Sequence, residues 1–262
     1  MTNKLILTPY GYAEEDKIIK IDNSMCAEAL SDGRLLIKDK DSGQLLEEFP
    51  KTLEASNIML EPNNYMGYTL DDNTVKNIKS FKTTWAVPQY PAERNSKKTF
   101  FLWNGLNGGA LQPVLVWGNG RACYRLQNWA FINNKYICGD EIEVKPGDEI
   151  TGVISLLKAE NEKWFYVVSF QYHSHIDLFV TRDSEATGVI LCYESYTKEF
   201  NQIPSSKYCK MKDICLEMAT EHPKPIYLDW HVRGDPIHTP SGNNTVIVNS
   251  SATNGEIDFY FH

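Results

Sequence analysis

Apolar residues along this chain recur chiefly at alternate positions, in short runs cut by Gly, Asn, Asp and Pro about every ten residues. FKTTWAVP, TFFLWNG, ALQPVLVWG, ACYRLQNWAF, DEIEVKPGDEITGVISLL, KWFYVVSFQYHSH, TGVILCYESY, PIYLDWHV, NTVIVNS and EIDFYF predict about ten strands from Phe81 onward. The first 50 residues read the same way. KIIKID, SDGRLLIKD, a turn at Lys40-Asp41-Ser42-Gly43 and QLLEEF predict a β-hairpin with short flanking strands. Between 54 and 79, Pro62-Asn63-Asn64 and Asp71-Asp72-Asn73 break the pattern. One helix is predicted, from Met211 to His222, where Met211, Cys215 and Met218 fall at helical spacing. Many strands and almost no helix give an all-β chain, an antiparallel β-sandwich or jelly roll. The expected division is a small hairpin-containing β element at 1–53, a connection at 54–79 and the sandwich at 80–262.

Strand alternation then sorts side chains onto faces. In ALQPVLVWG, Gln112, Val114 and Val116 share one face, and Leu111, Leu115 and Trp117 the other. Both faces are apolar, so this is a central strand carrying one amide. Such an amide needs partners, in a structural tie between strands or in a site. In GVILCYESY, Glu194 shares a face with Ile190, Cys192 and Tyr196. A carboxyl among apolar groups has a raised pKa, which suits proton transfer; the plainer reading is a strand-end glutamate reaching water. In KWFYVVSFQYHSHID, Trp164, Tyr166, Val168, Phe170 and Tyr172 oppose Phe165, Val167, Ser169, Gln171, His173 and His175. The His-x-His pair, with Asp177 next in phase, lacks an identifiable third ligand, so a polar face lining a groove accounts for it better than a metal.

Charge narrows the partners. Twenty-six basic against 34 acidic residues leave a net charge of −8, which argues against nucleic acid or an anionic membrane surface. No apolar run has the length of a membrane span, and MTNKLILTPYGYAEEDK has too short an apolar stretch for a signal peptide. The expected location is cytoplasmic, or outside by a non-classical route. Six cysteines without a C-x-x-C pair read as free thiols, with Cys209 and Cys215 the pair nearest in sequence. GxSxG, HExxH, Walker and dinucleotide motifs are absent, and no metal or cofactor is expected.

Residues 81–196 resemble the glutamic peptidases of the eqolisin family. FKTTWAVP is similar to the family's opening strand. WNGLNG places Trp103, Gly105, Asn107 and Gly108 on its tryptophan-x-glycine-x-acid-glycine stretch, with Asn107 where an aspartate is usual. ALQPVLVWG sets Gln112 on the catalytic glutamine, and EVKPGDEITGVIS resembles the family's glycine-aspartate turn. GVILCYESY lies where the catalytic glutamate is expected. The segment from Trp85 to NTVIVNSSATNGEIDFYF also resembles a broader group of uncharacterised microbial sandwich proteins that keep an LQPVL-type strand. The eqolisin resemblance implies a concanavalin A-like fold and peptide hydrolysis, with Glu194 as general base on a water and Gln112 as oxyanion donor. Aligning on hydrophobic phase would instead put Leu191 at the glutamate position, leaving no base.

The alternative is a non-catalytic, lectin-like carbohydrate-binding module on the concave sheet face, and a polysaccharide lyase or glycosidase is a third reading. Trp103, Asn107, Gln127, Trp129, Gln171 and His173 are the candidate ligand-binding residues, for a peptide or a glycan in that groove. Glu194 within reach of Gln112 would favour catalysis; Leu191 in its place would favour binding.

Overall fold

The computed structural model describes residues 4–52, 64–69, 78–95, 97–197, 199–219, 226–233 and 243–261. The chain opens with a hairpin of β1 (Leu5–Thr8) and β2 (Gly11–Glu14), followed by β3 (Ile18–Lys20), β4 (Met25–Ala29), β5 (Leu35–Asp39) and β6 (Leu45–Phe49). Next come β7 (Asn64–Thr69), β8 (Ile78–Ala86), β9 (Phe100–Leu106), β10 (Leu111–Gly118), β11 (Arg121–Ile132) and β12 (Lys135–Val144). β13 (Glu149–Glu160), β14 (Lys163–Phe170), β15 (Leu178–Arg182) and β16 (Val189–Ser195) follow. The last are β17 (Tyr208–Met218), β18 (His231–Arg233), β19 (Asn243–Asn249) and β20 (Gly255–Phe261). Among the described residues there is no α-helix, only three single-turn 3-10 segments, so no helix is long and apolar enough to cross a membrane.

These strands build a sandwich. One sheet has eight strands in the order β18-β7-β16-β9-β10-β11-β12-β3, and the other has ten in the order β19-β20-β17-β8-β13-β14-β15-β4-β5-β6. The main core lies between them, with Leu111, Leu115, Trp117, Leu191 and Tyr193 of the first sheet packed with Phe81, Trp85, Ile154, Val168 and Phe170 of the second. β10 and β16 are buried along their whole length, as alternation with apolar residues on both faces requires.

Three expectations change. The N-terminal strands are edge strands of the sandwich: β3 pairs parallel with β12, and β4 pairs parallel with β15 and carries β5 and β6 outward. The sheets are therefore mixed at these edges and antiparallel elsewhere. Of the connection foreseen at 54–79, residues 64–69 form β7 inside the eight-stranded sheet, while 54–63 and 70–77 lie outside the described residues. The third change is that Met211–Met218 is strand, not helix, with the remainder of the predicted helix up to Glu221 and His222 partly outside the described residues. A β-bulge between Met211 and Ile214, with Asp213 at φ 51, shifts the buried positions from Cys209 and Met211 to Ile214 and Leu216. That inserted residue turns a spacing of two into a spacing of three, which imitates a helix.

Candidate functional site

The outer face of the eight-stranded sheet, turned away from the second sheet, carries its own apolar cluster. Phe101 and Trp103 of β9, Val114 and Val116 of β10, Trp129 of β11, Tyr136 and Cys138 of β12, and Ile190 and Cys192 of β16 belong to it. The β1–β2 hairpin lies on this cluster. Leu7 and Ala13 are buried in it, with Tyr10 and Tyr12 packed alongside. Thr8 Oγ1 closes the turn on the Gly11 carbonyl at 2.7 Å. Two bonds tie the hairpin to the sheet: Asn119 Nδ2 donates to the Leu7 carbonyl at 3.0 Å, and Tyr10 Oη donates to the Ala110 carbonyl at 3.2 Å.

Gln112 and Glu194 both stand on this face. Pairing sets Val114 opposite Trp103 and Trp103 opposite Cys192; the same registers carry Gln112 to Gly105 and Ile190, and Glu194 to Phe101. Glu194 is thus two strands across from Gln112 and four residues along, about 16 Å between Cα atoms at ordinary strand spacings. No hydrogen bond joins them. Gln112 Nε2 donates to the Gly109 carbonyl at 2.5 Å, and Gln112 Oε1 is buried without a partner. Trp103 occupies the row between. A Cβ on Gly109, which sits at φ +88, would meet Gln112 Nε2 and the Trp103 ring at 2.9 Å each, so only glycine fits there. At its other end the Trp103 indole N–H is turned toward Glu194 and offsets a little of its burial, without closing a hydrogen bond.

Glu194 is 6% exposed, and burial pushes its pKa up to about 8. Its Oε2 has no hydrogen-bond partner. At neutral pH this carboxyl is protonated, a donor rather than a base. Its electrostatic neighbours Tyr10 and Tyr196 are held neutral by burial, each with its pKa raised. Burial also pushes the Cys138 thiol up to about 12, far from a working thiolate. Leu191 points to the opposite side, into the main core.

Of the remaining candidates, Trp129 stands opposite Gln112 and Gln127 opposite Val114, so both share the face. Gln127 Nε2 donates to the Gly139 carbonyl at 3.1 Å. Asn107 lies in the turn after β9 at φ 55, beside Gly108 at φ 64. With its amide oriented to satisfy both ends, Asn107 Oδ1 accepts from Arg182 Nη1 and Nη2 at 3.2 and 3.0 Å. The turn borders a recess of about 540 Å³ whose walls include Tyr10, Lys51, Gly109, Phe131 and Asn133.

Gln171 and His173 stand elsewhere. β14 belongs to the ten-stranded sheet and ends at Phe170, one residue before Gln171; Tyr172 turns the chain at φ 68, so alternation does not extend to His173. The His173 and His175 rings are 6.2 Å apart, and among the described residues no group of three or more metal-ligating side chains forms. No disulfide links the described cysteines.

The hairpin, Arg125 and Tyr136 are outer-face features that the strand patterns above did not single out. LILTPYGYAEE carries the signal for the first, an alternating run on each side of a Pro-Tyr-Gly turn. Arg125 is buried at the rim, donating through Nε to Glu141 at 3.0 Å and through Nη2 to the Gly118 carbonyl at 3.1 Å.

No family model matches this chain, and no curated protein matches it. Two solved peptidase structures are similar to it. A crystal structure of scytalido-glutamic peptidase with a peptide-based transition state analog is 13% identical, with a TM-score of 0.49 over 75% of this chain and 98% of that one. Another, of the same peptidase with a transition state analog inhibitor, is 12% identical, with a TM-score of 0.47 over 76% and 98%.

Proposed function

We propose that the outer face of the eight-stranded sheet is a polypeptide-binding face, and that Gln112 and Glu194 act there as separate polar anchors rather than as a hydrolytic pair. The carrying observation is the occupant. An extended segment of this chain, Leu5–Glu14, lies on the face with Leu7 and Ala13 buried against it. A surface that holds a β-hairpin by alternate apolar side chains has the chemistry to hold another such segment. A separation of about 16 Å at ordinary strand spacings, together with a protonated carboxyl, speaks against joint action on one water. The glutamine amide, with its oxygen unpartnered, and the protonated Glu194 carboxyl are suited to backbone carbonyls and amides of a bound strand.

The test uses the full chain and its Leu7→Asp variant, in which a buried charge loosens the hairpin. A synthetic peptide of residues 4–15 is titrated into both while tryptophan emission from Trp103 and Trp129 is followed. We expect saturable binding to the variant, weaker binding to the parent, and no cleavage of a mixed peptide library between about pH 3 and pH 8, a range spanning ordinary and burial-raised carboxyl pKa values. Cleavage that vanishes in folded Gln112→Ala and Glu194→Ala would establish the peptidase reading instead. Absence of peptide binding by the variant would overturn the proposal.

A further inference from the structure

We propose that the place filled by the Tyr10 ring is the selective subsite of the outer face, and that it takes a tyrosyl side chain from a strand or hairpin of another polypeptide. The inference rests on the peptide-binding reading above and adds to it a preference for one side chain. Tyr10 is set apart within the β1–β2 hairpin by the turn that carries it. Its backbone N–H donates to Thr8 Oγ1 at 3.1 Å, and Gly11 beyond it sits at φ 96, a conformation that favours glycine. Pro9 before it has its φ fixed by the pyrrolidine ring. These local ties hold the tip of the hairpin in one shape and present a single aromatic ring to the sheet.

Three rings receive it. Trp129 and Phe131 stand at alternate positions of β11, and Tyr136 of β12 pairs with Phe131, so all three share the outer side of one strand pair. The Tyr10 centroid lies 5.4 Å from Phe131, 6.0 Å from Tyr136 and 6.5 Å from Trp129, the last edge-on. Contacts of this geometry add to simple burial, because a ring's positive edge meets a negative face. The far end of the slot is polar. The Ala110 carbonyl takes the Phe131 N–H at 2.8 Å and offers its second lone pair to the Tyr10 hydroxyl, at 3.2 Å. A phenylalanine there would keep the ring contacts and leave the hydroxyl's place empty; a leucine would lose the ring contacts as well.

Two observations mark the slot as a place for a ligand rather than a seam of the core. Trp129 Nε1 and Tyr136 Oη, in side chains each only 3% exposed, are buried donors without a hydrogen-bond partner. With Trp103 Nε1, Gln112 Oε1 and Glu194 Oε2 they are the polar atoms that this face leaves unmet while the hairpin covers it. A permanent seal would satisfy most of them. The second observation is access. Tyr10, Phe131 and Ala110 also form walls of the recess at Asn107 and Asn133, so among the described residues the slot opens to the surface without parting the two sheets.

The test extends the peptide titration. Peptides of residues 4–15 that keep Tyr10 or carry Tyr10→Phe, Tyr10→Leu or Tyr10→Ala are titrated into the full-chain Leu7→Asp variant. They are also titrated into a full-chain Tyr10→Ala variant, which removes only the ring, with tryptophan emission as the readout of both. We expect Tyr10→Phe to weaken peptide binding about 5-fold, for the loss of one hydrogen bond. Tyr10→Leu and Tyr10→Ala should weaken it by about 20-fold or more, for the loss of a packed ring. Adding Phe131→Leu to either full-chain variant should narrow the gap between the tyrosine and leucine peptides to about 5-fold, because one of the three ring contacts is gone. Equal binding of all the peptides, or a gap that Phe131→Leu leaves unchanged, would overturn the subsite and leave the peptide-binding face standing. No binding of any peptide to either variant would overturn both. N-acetyltyrosinamide binding as tightly as the parent peptide would make the slot a site for a free phenol and would also overturn the proposal.

Discussion

The two faces of the eight-stranded sheet are built from the same strands and covered in opposite ways. On the inner face Leu111, Leu115, Trp117, Leu191 and Tyr193 meet a ten-stranded sheet. On the outer face Val114, Val116, Ile190 and Cys192 meet a two-stranded hairpin of eight strand residues, four in each strand. Both are largely apolar, and both hold buried amides with an unpartnered oxygen, Asn104 and Asn128 inside and Gln112 outside, yet among the described residues only the outer face carries a buried carboxyl and an arginine at its rim. One cover is a whole sheet and the other is two short strands. If the outer face binds polypeptide as proposed, exchangeability of the cover, more than hydrophobicity, is what separates the two faces.

Substitutions on the two faces should therefore differ in size and kind. Trp117→Ala on the inner face removes a ring packed on Tyr124, Tyr90 and Phe100 at 5.0, 5.7 and 6.1 Å between centroids. We expect a loss of about 4 kcal/mol in urea unfolding, seen as a shift in midpoint for the whole molecule. A loss below about 1 kcal/mol would mean the inner face is no better closed than the outer.

Glu194→Gln probes the outer face through pH. The folded pKa of about 8 lies above the ordinary carboxyl value, so the folded state holds its proton where the unfolded chain has released it. Stability from this group is therefore intact below about pH 4.5 and lost as pH rises toward about 8. The glutamine variant escapes that loss. Its stability should match the parent near pH 4.5 and exceed it increasingly up to pH 8, by roughly 4 kcal/mol there. Parallel pH profiles would show that Glu194 is not held in its protonated form by the fold.

Leu7→Ala should cost less, about 2 kcal/mol, because the hairpin settles toward the gap it leaves. Its distinguishing mark is locality: amides of residues 5–14 should exchange faster while those of β10 and β16 hold. Gln112→Ala is the smallest effect, about 1 kcal/mol for a single buried hydrogen bond to Gly109. Equal acceleration of exchange in β10 and in the hairpin would show that the two covers open together.

Much of this was readable from alternation. The faces of β10 and β16, including Gln112 beside Val114 and Glu194 beside Cys192, follow from period two because these strands are uninterrupted. Where the backbone interrupts the period, the reading slips. The bulge at Lys212-Asp213 imitated a helix, and Gln171 and His173, just past the end of β14, lie with the ten-stranded sheet, off the expected face. Register between strands was not legible at all. Nothing local in ILCYES states that Cys192 rather than Glu194 stands opposite Trp103, and that offset sets the distance to Gln112. The parallel partners of β3 and β4 lie far along the chain and leave no mark in the residues that pair.

Those two parallel pairings also set an order of events at birth. β3 needs residues 136–138 before it has any neighbour in its sheet, and β4, paired locally with β5, needs residues 179–181 before it joins the rest of its sheet. At ordinary rates of synthesis the first strands therefore wait about ten seconds or more in company only with one another. During that interval the hairpin of β1 and β2, which needs no distant partner to close, is the piece of this chain able to form first. The surface it will eventually cover is still being made.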